Sequence, residues 1–326
     1  MKPHHLYLTL LSSALLVACA AETKVPKDAT DTHASSAKSE VIASGDLKGL
    51  YVNAGENSPI VLIVPGSGPT DLDGNNPMGI QASTYKKLAE SLAEQNISSV
   101  RVDKRGMFSS QAAGDPNAVT VDIYAQDYKN WTKAIKAQTR QTCVYMLGHS
   151  EGGIMVSAAS IENSDVCGLI LVSAPGRSYG DILRQQLKAN PANKPILDQA
   201  LEAISTLENG ETVDTSTLHP ALMSLFNPSV QGFMKSVMAI NPAQLAKSAE
   251  TKTLIVQGDN DIQVSIENAN KLAEATGGKL VIIEGVNHIL KDAPESRSGN
   301  MKTYSNPDLP ISSEVVEAIA SFIKQG

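Results

Sequence analysis

The sequence predicts an α/β chain, with a mostly parallel central sheet, helices on both faces and an inserted helical block. Three observations carry this prediction. Continuous apolar runs at 59–65, 144–147, 168–173, 253–257 and 279–283 read as strands buried on both faces, as parallel sheets require, and 98–103 reads as a further strand. Helical patterns at 84–95, 122–138, 265–276 and 313–324 fall between or after them, so strands and helices alternate. Turn-rich segments follow several strand ends, the edge on which such sheets place their sites.

The chain has 326 residues, 42% of them hydrophobic, enough for one large domain or two small ones. Its net charge is −7 and it has no basic stripe, which excludes nucleic acid as an expected partner. Aromatic residues make up only 4%, which argues against a broad sugar- or base-stacking surface. Lys2 precedes an apolar run at 6–17 that is too short to span a bilayer and reads as a secretory signal. The run closes in Leu16-Val17-Ala18-Cys19, which resembles a bacterial lipobox. That resemblance implies removal of residues 1–18, acylation of Cys19 and a membrane tether through its lipid. Ala20 after the cysteine, in place of Asp, favours the periplasmic side of the outer membrane. Residues 19–44 are rich in Ala, Ser, Thr, Lys and Asp without apolar periodicity, as in a flexible tether, and the folded domain is expected at 45–326.

The strand at 59–65 runs into Gly66-Ser67-Gly68-Pro69-Thr70-Asp71. The helix at 84–95 aligns Tyr85, Leu88 and Leu92, and that at 122–138 carries Tyr124, Tyr128, Trp131 and Ile135. Between them the strand at 98–103 ends in Lys104-Arg105-Gly106. From 177 to about 248 the strand signals stop. Helical runs there alternate with Asn190-Pro191, Asn227-Pro228 and Asn241-Pro242. This block reads as a lid inserted into the sheet domain, and it is expected to supply the substrate pocket. Cys143 and Cys167 start the strands on either side of one helix. Neighbouring parallel strands lie about 5 Å apart, which suits a disulfide, and export favours its oxidised form.

The chemistry centres on Val144-Tyr145-Met146-Leu147-Gly148-His149-Ser150-Glu151-Gly152-Gly153. An apolar strand runs into Gly-x-Ser-x-Gly, and a helix-like stretch follows at 154–159. This pattern is that of a nucleophile elbow, with Ser150 on a turn too tight for side chains at Gly148 and Gly152. A serine hydroxyl needs a base, and the base needs a group to orient it. Of six histidines, His4 and His5 fall in the signal and His33 in the tether. His149 points to the opposite face from Ser150, as successive strand residues do. His288, on the loop after the strand at 279–283, is the candidate base; His219, in the insertion, is the alternative. Asp259 and Asp261 follow the strand at 253–257, and physical reasoning does not separate them.

The segments Gly148-His149-Ser150-Glu151-Gly152-Gly153, Gly258-x-x-Asp261 and Asn287-His288 resemble the α/β-hydrolase superfamily. Pro65-Gly66-Ser67-Gly68-Pro69-Thr70-Asp71 and Asp103-Lys104-Arg105-Gly106 resemble its serine aminopeptidase-like and esterase branch. The resemblance implies the α/β-hydrolase fold, the order Ser…Asp…His, and Asp261 as the acid. It also implies an oxyanion hole from the backbone N–H groups of Glu151 and of the 66–68 turn, where Ser67 is preferred to Gly68. Pro65-Gly66 stands where many members have His-Gly.

Asp71-Leu72-Asp73-Gly74-Asn75 resembles a calcium loop, but its glycine is at position four and Ala82 replaces the bidentate glutamate. Neither a metal nor a cofactor is expected. Asp103 and Arg105 are expected to fix loops. The reading is a serine hydrolase acting on a small carboxylic ester, with a short peptide or amide as the runner-up substrate. A non-catalytic binding protein of the cell envelope is the reading from another class. Glu151 would favour an aminopeptidase if its carboxylate met a substrate amine.

Overall fold

The computed structural model describes residues 39–325. The signal segment, Cys19, the tether through residue 38 and His4, His5 and His33 lie outside the described residues. The central sheet has eight strands: β1 Ser39–Ser44, β2 Leu47–Val52, β3 Ile60–Val64, β4 Ser98–Val102, β5 Val144–His149, β6 Val166–Val172, β7 Thr253–Gly258 and β8 Lys279–Ile283. Their spatial order is β1-β2-β4-β3-β5-β6-β7-β8. Only β2 runs antiparallel to its neighbours; every other pair is parallel.

Eleven helices, here numbered α1 to α11, accompany the sheet among the described residues. They are α1 Thr84–Glu94, α2 Val121–Thr139, α3 Gly152–Ser160, α4 Tyr179–Ala189, α5 Leu197–Glu208, α6 Met223–Phe226, α7 Pro228–Met238, α8 Pro242–Ser248, α9 Ile266–Thr276, α10 Arg297–Thr303 and α11 Ser313–Lys324. Every residue of β3, β4, β5 and β7 is buried, which is why β3, β5 and β7 read as largely apolar runs; β4 buries Ser98, Ser99 and Arg101 beside Val100 and Val102. Side chains alternate between the two faces. Leu62, Val64, Met146 and Leu171 pack with Trp131 of α2, Val156 of α3 and Leu272 of α9. Val61, Ile63, Leu147 and Ile170 pack with Leu88 and Leu92 of α1 and Ile319 of α11 on the other face.

The insertion between β6 and β7 comprises α4 to α8 and has its own core, which includes Leu187, Ile204, Leu207, Leu222 and Phe226. Its Asn-Pro breaks are helix starts: of a 3-10 helix at Pro191–Ile196, of α7 and of α8. The side chains of Asn190, Asn227 and Asn241 accept from Ala192, Ser229 and Gln244 N–H, and each following proline occupies the first helical position.

One boundary is corrected. Residues 39–44 belong to the folded domain, ahead of the expected start at 45, because β1 pairs along its whole length with β2, from Ser39↔Val52 to Ser44↔Leu47. Its polar residues Ser39, Glu40 and Ser44 hid it: an edge strand held by backbone pairing needs little apolar alternation, and Ile42 alone of the six is buried. Cys143 and Cys167 form a disulfide with Cα atoms 5.2 Å apart, bridging the starts of β5 and β6.

Candidate active site

The turn after β5 is built by exclusion. A side chain at Gly148 would put its Cβ 2.4 Å from Gly152 O and 2.5 Å from Val156 Cγ2; one at Gly152 would meet Val64 O at 2.6 Å. Glycine is therefore required at both. Ser150 itself sits at φ 53°, a left-handed conformation that non-glycine residues adopt at a cost. Its N–H donates to Val172 O (2.9 Å), which ties the strained turn to β6.

The structure brings the three predicted side chains together. His288 Nε2 lies 3.1 Å from Ser150 Oγ, and its Nδ1 lies 2.7 Å from Asp261 Oδ2. Both partners of the imidazole are held from below. Asp261 Oδ1 accepts the N–H groups of Gln263 (2.7 Å) and Val264 (2.9 Å), and Gln257 Nε2 donates to Oδ2 at 3.2 Å. Burial acts to raise the Asp261 carboxyl, but the nearby His288 charge and these hydrogen bonds outweigh it and hold the group below its ordinary value. The loop carrying His288 is a turn closed by Asn287 N–H to Lys291 O (3.0 Å). Asn287 Nδ2 anchors it to Thr303 Oγ1 (2.8 Å) and Asn300 Oδ1 (3.1 Å) at α10.

The other candidates go elsewhere. Asp259 Oδ1 accepts Gly285 N–H (2.7 Å), so the loop uses Asp259 and the imidazole uses Asp261. His219 is exposed and caps a short turn, its Nδ1 accepting Ala221 N–H. Asp103 accepts from Leu72 and Ser109, and Arg105 pairs with Asp127, so both fix loops as expected. Asp71 Oδ1 accepts the N–H groups of Asp73 and Asn75, which closes the calcium-like loop on itself. Glu151 is buried and its Oε2 accepts from Tyr179 Oη (3.0 Å), a contact between the elbow and the start of the insertion.

Three residues in the site were not assigned roles from the sequence. His149 is buried between Tyr85 and the base: its Nε2 is 2.7 Å from His288 O and its Nδ1 is 2.8 Å from Tyr85 Oη. A carbonyl only accepts, so Nε2 carries the proton, and the neutral ring then accepts from Tyr85. Tyr85 in turn accepts Gly66 N–H at 2.9 Å. Burial, then the neighbouring His288 charge, pushes the His149 imidazole down to about 3, so it stays neutral as this chain of bonds requires. Lys104, also buried, donates from Nζ to the carbonyls of Gly66 (2.8 Å) and Gly68. Tyr85 read as one more apolar position on α1. The signal for the other two was position: a histidine beside the serine, and a lysine directly after a buried strand.

Gly66 faces the nucleophile so closely that a Cβ there would lie 3.0 Å from Ser150 Cβ. Beside them opens a cavity of about 50 Å³. Ser67, Thr70, Asn76, Tyr85, Gln263 and Ile289 help line it together with Ser150 and His288. None of its lining residues belongs to the insertion, which was expected to supply the pocket; the insertion reaches this cavity's wall through Tyr179, hydrogen-bonded to Ser67. The loop after β3 can approach Ser150 because glycine stands at 66, and it occupies that ground instead.

Strand order, helix placement and the elbow define an α/β-hydrolase. A family model described as serine aminopeptidase, S33, matches residues 77–293, two thirds of the chain, so the protein belongs to that family and is a hydrolase. Solved structures agree on the fold. Est1E from Butyrivibrio proteoclasticus with bound ferulic acid is 19% identical at TM-score 0.54, with 88% of this chain and 98% of that one covered. An esterase from Pyrococcus furiosus is 16% identical at TM-score 0.56, with 92% and 96% covered. A proline iminopeptidase from Mycobacterium smegmatis is 15% identical at TM-score 0.52, with 88% and 98% covered. No curated protein matches the chain.

Proposed function

We propose that this hydrolase cleaves carboxylic esters of small acids through an acyl-enzyme on Ser150. The observation that carries the proposal is the contact series Ser150 Oγ, His288 Nε2, His288 Nδ1 and Asp261 Oδ2, at 3.1 and 2.7 Å. Ser150 attacks the acyl carbonyl as His288 takes its proton at Nε2. Asp261 accepts the Nδ1–H bond and stabilises the imidazolium. His288 then protonates the leaving oxygen and activates the water that releases the acid. Charge developing on the carbonyl oxygen meets the N–H groups of Glu151 and Ser67. Ser67 is favoured in the 66–68 turn because the Gly66 N–H already donates to Tyr85 and Gly68 is not among the residues that line the cavity.

The cavity supports a short acyl group. Its volume of about 50 Å³ is far below the several hundred Å³ that drug-sized ligands fill. The family description and the iminopeptidase likeness favour aminoacyl amides as a second substrate class. Against that class, the Glu151 carboxylate already accepts from Tyr179. We also infer an exported protein anchored in the cell envelope through an acylated Cys19. The segment Leu16-Val17-Ala18-Cys19 and the Cys143–Cys167 bridge support it, since disulfides persist in oxidising compartments.

The test is labelling by a fluorophosphonate probe together with hydrolysis of p-nitrophenyl esters from acetate to decanoate and of aminoacyl p-nitroanilides. Labelling and turnover that favour short esters and vanish in Ser150→Ala support the proposal. A Ser150 inert to the probe makes the chain a binding protein, and preference for the anilides makes it a peptidase.

A further inference from the structure

We propose that Lys104 aims the oxyanion-binding turn at the reacting carbonyl, a positioning role that rests on the acyl-transfer reading above. Lys104 lies two residues beyond β4 and is only 6% exposed. Removing an ammonium from water costs several kcal/mol in effect, so its partners matter. Its hydrogen-bond acceptors are two backbone carbonyls, Gly66 O at 2.8 Å and Gly68 O; burial disfavours the charge and the nearby Glu151 carboxylate favours it. Lys104 takes part in none of the ion pairs formed among the described residues.

Peptide geometry turns those two bonds into a direction. Gly66 C=O and Ser67 N–H belong to one planar trans peptide and point opposite ways. Holding Gly66 O on the ammonium therefore drives the Ser67 N–H away from Lys104. The neighbouring groups cannot relax this. Gly66 N–H is held by Tyr85 at 2.9 Å, Ser67 O accepts from Thr70 Oγ1 at 2.9 Å, and Gly68 O is the second ligand of Lys104. The turn is seated on the nucleophile, with Gly66 against Ser150 Cβ and Ser67 in the wall of the cavity that Ser150 and His288 share. Through the Gly66 carbonyl, then, the lysine sets which way the Ser67 N–H faces.

Lys104→Met matches the length of the lysine stem but leaves the Gly66 and Gly68 carbonyls without this donor, so some loss of stability accompanies it. What separates positioning from simple support is whether the oxyanion is bound less tightly once the two carbonyls are free to turn. The ammonium charge also lies on the side of the peptide that polarises the Gly66 carbonyl, which strengthens Ser67 N–H as a donor.

The test compares Lys104→Met and Lys104→Gln with the wild type on p-nitrophenyl acetate. Inhibition by a trifluoromethyl ketone, which adds to Ser150 as a tetrahedral oxyanion, is measured in parallel. In Lys104→Met, kcat is expected to fall about 10²-fold, close to the loss of one oxyanion donor, with KM within about twofold. Ketone affinity is expected to fall in step with kcat, and the thermal midpoint to fall by a few degrees with the protein still folded at the assay temperature. In Lys104→Gln, whose shorter neutral amide keeps a donor, a smaller loss in the same ratio is expected. A folded Met variant with kcat within threefold of wild type overturns the proposal. So does a loss of kcat with wild-type ketone affinity, and so does failure of both variants to fold, which would make Lys104 structural. An inert Ser150 in the wild type would instead overturn the acyl-transfer reading beneath it.

Discussion

His149 makes a quantitative prediction about acid stability. The unfolded imidazole has its ordinary value near 6.5, whereas in the folded protein burial and the adjacent His288 hold it at about 3. As the pH falls below about 6.5, the unfolded chain takes up this proton and the folded chain does not. The stability contributed by the neutral ring is complete above that value and is lost progressively down to about pH 3. At pH 5 the unfolded ring is about 1.5 pH units below its midpoint. The loss is then about 2 kcal/mol relative to pH 7.5, at 1.36 kcal/mol per unit.

His149→Gln isolates this effect. Its amide can still donate to His288 O but has no proton to gain. Its own cost at pH 7.5 is about 1–3 kcal/mol, because the buried Tyr85 hydroxyl loses its acceptor. Urea unfolding of both proteins at pH 7.5 and 5 gives the comparison, with Asp261 and the other carboxylates contributing alike to each. Wild type is expected to lose about 2 kcal/mol more than the variant over this interval. Equal losses would refute the claim that the ring is held neutral between Tyr85 and His288.

Three further outcomes follow from the same geometry. Asp261→Asn should keep the fold but lower kcat about 10⁴-fold, because an amide nitrogen at the Oδ2 position would oppose the Nδ1–H of His288 and disfavour the working tautomer; steady-state kinetics beside a thermal melt checks this. Gly148→Ala should prevent recovery of folded protein or destabilise it by more than about 4 kcal/mol, since its Cβ would meet Gly152 O at 2.4 Å; circular dichroism and yield decide it. Reducing the Cys143–Cys167 bridge, which spans 24 positions, should cost about 3 kcal/mol, read as a lower urea midpoint with dithiothreitol that a Cys143→Ser/Cys167→Ser double variant reproduces without reductant.

The sheet was legible because strands buried on both faces are mostly apolar, and the runs around Leu62, Met146, Leu171 and Ile255 have no other economical use. The serine was legible because the elbow admits only glycine at 148 and 152. Less was visible where backbone pairing or polar contact does the holding. β1 escaped notice because an edge strand can be polar, and the pocket was assigned to the insertion although the loop after β3 lines it.

The local pattern alone settles which segments are the buried central strands, where the chain must turn on glycine, and which hydroxyl stands at the turn, because each depends on neighbours a few residues away. Which aspartate meets His288, and what Tyr85, Lys104 and His149 hold, depends on contacts across 19 to 139 positions of chain. Those contacts exist only once the carboxyl ends of β3, β4, β5, β7 and β8 are brought to one edge. Hydrogen bonds act over about 3 Å, and a linear pattern of residues carries no information at that range about groups so far apart along the chain.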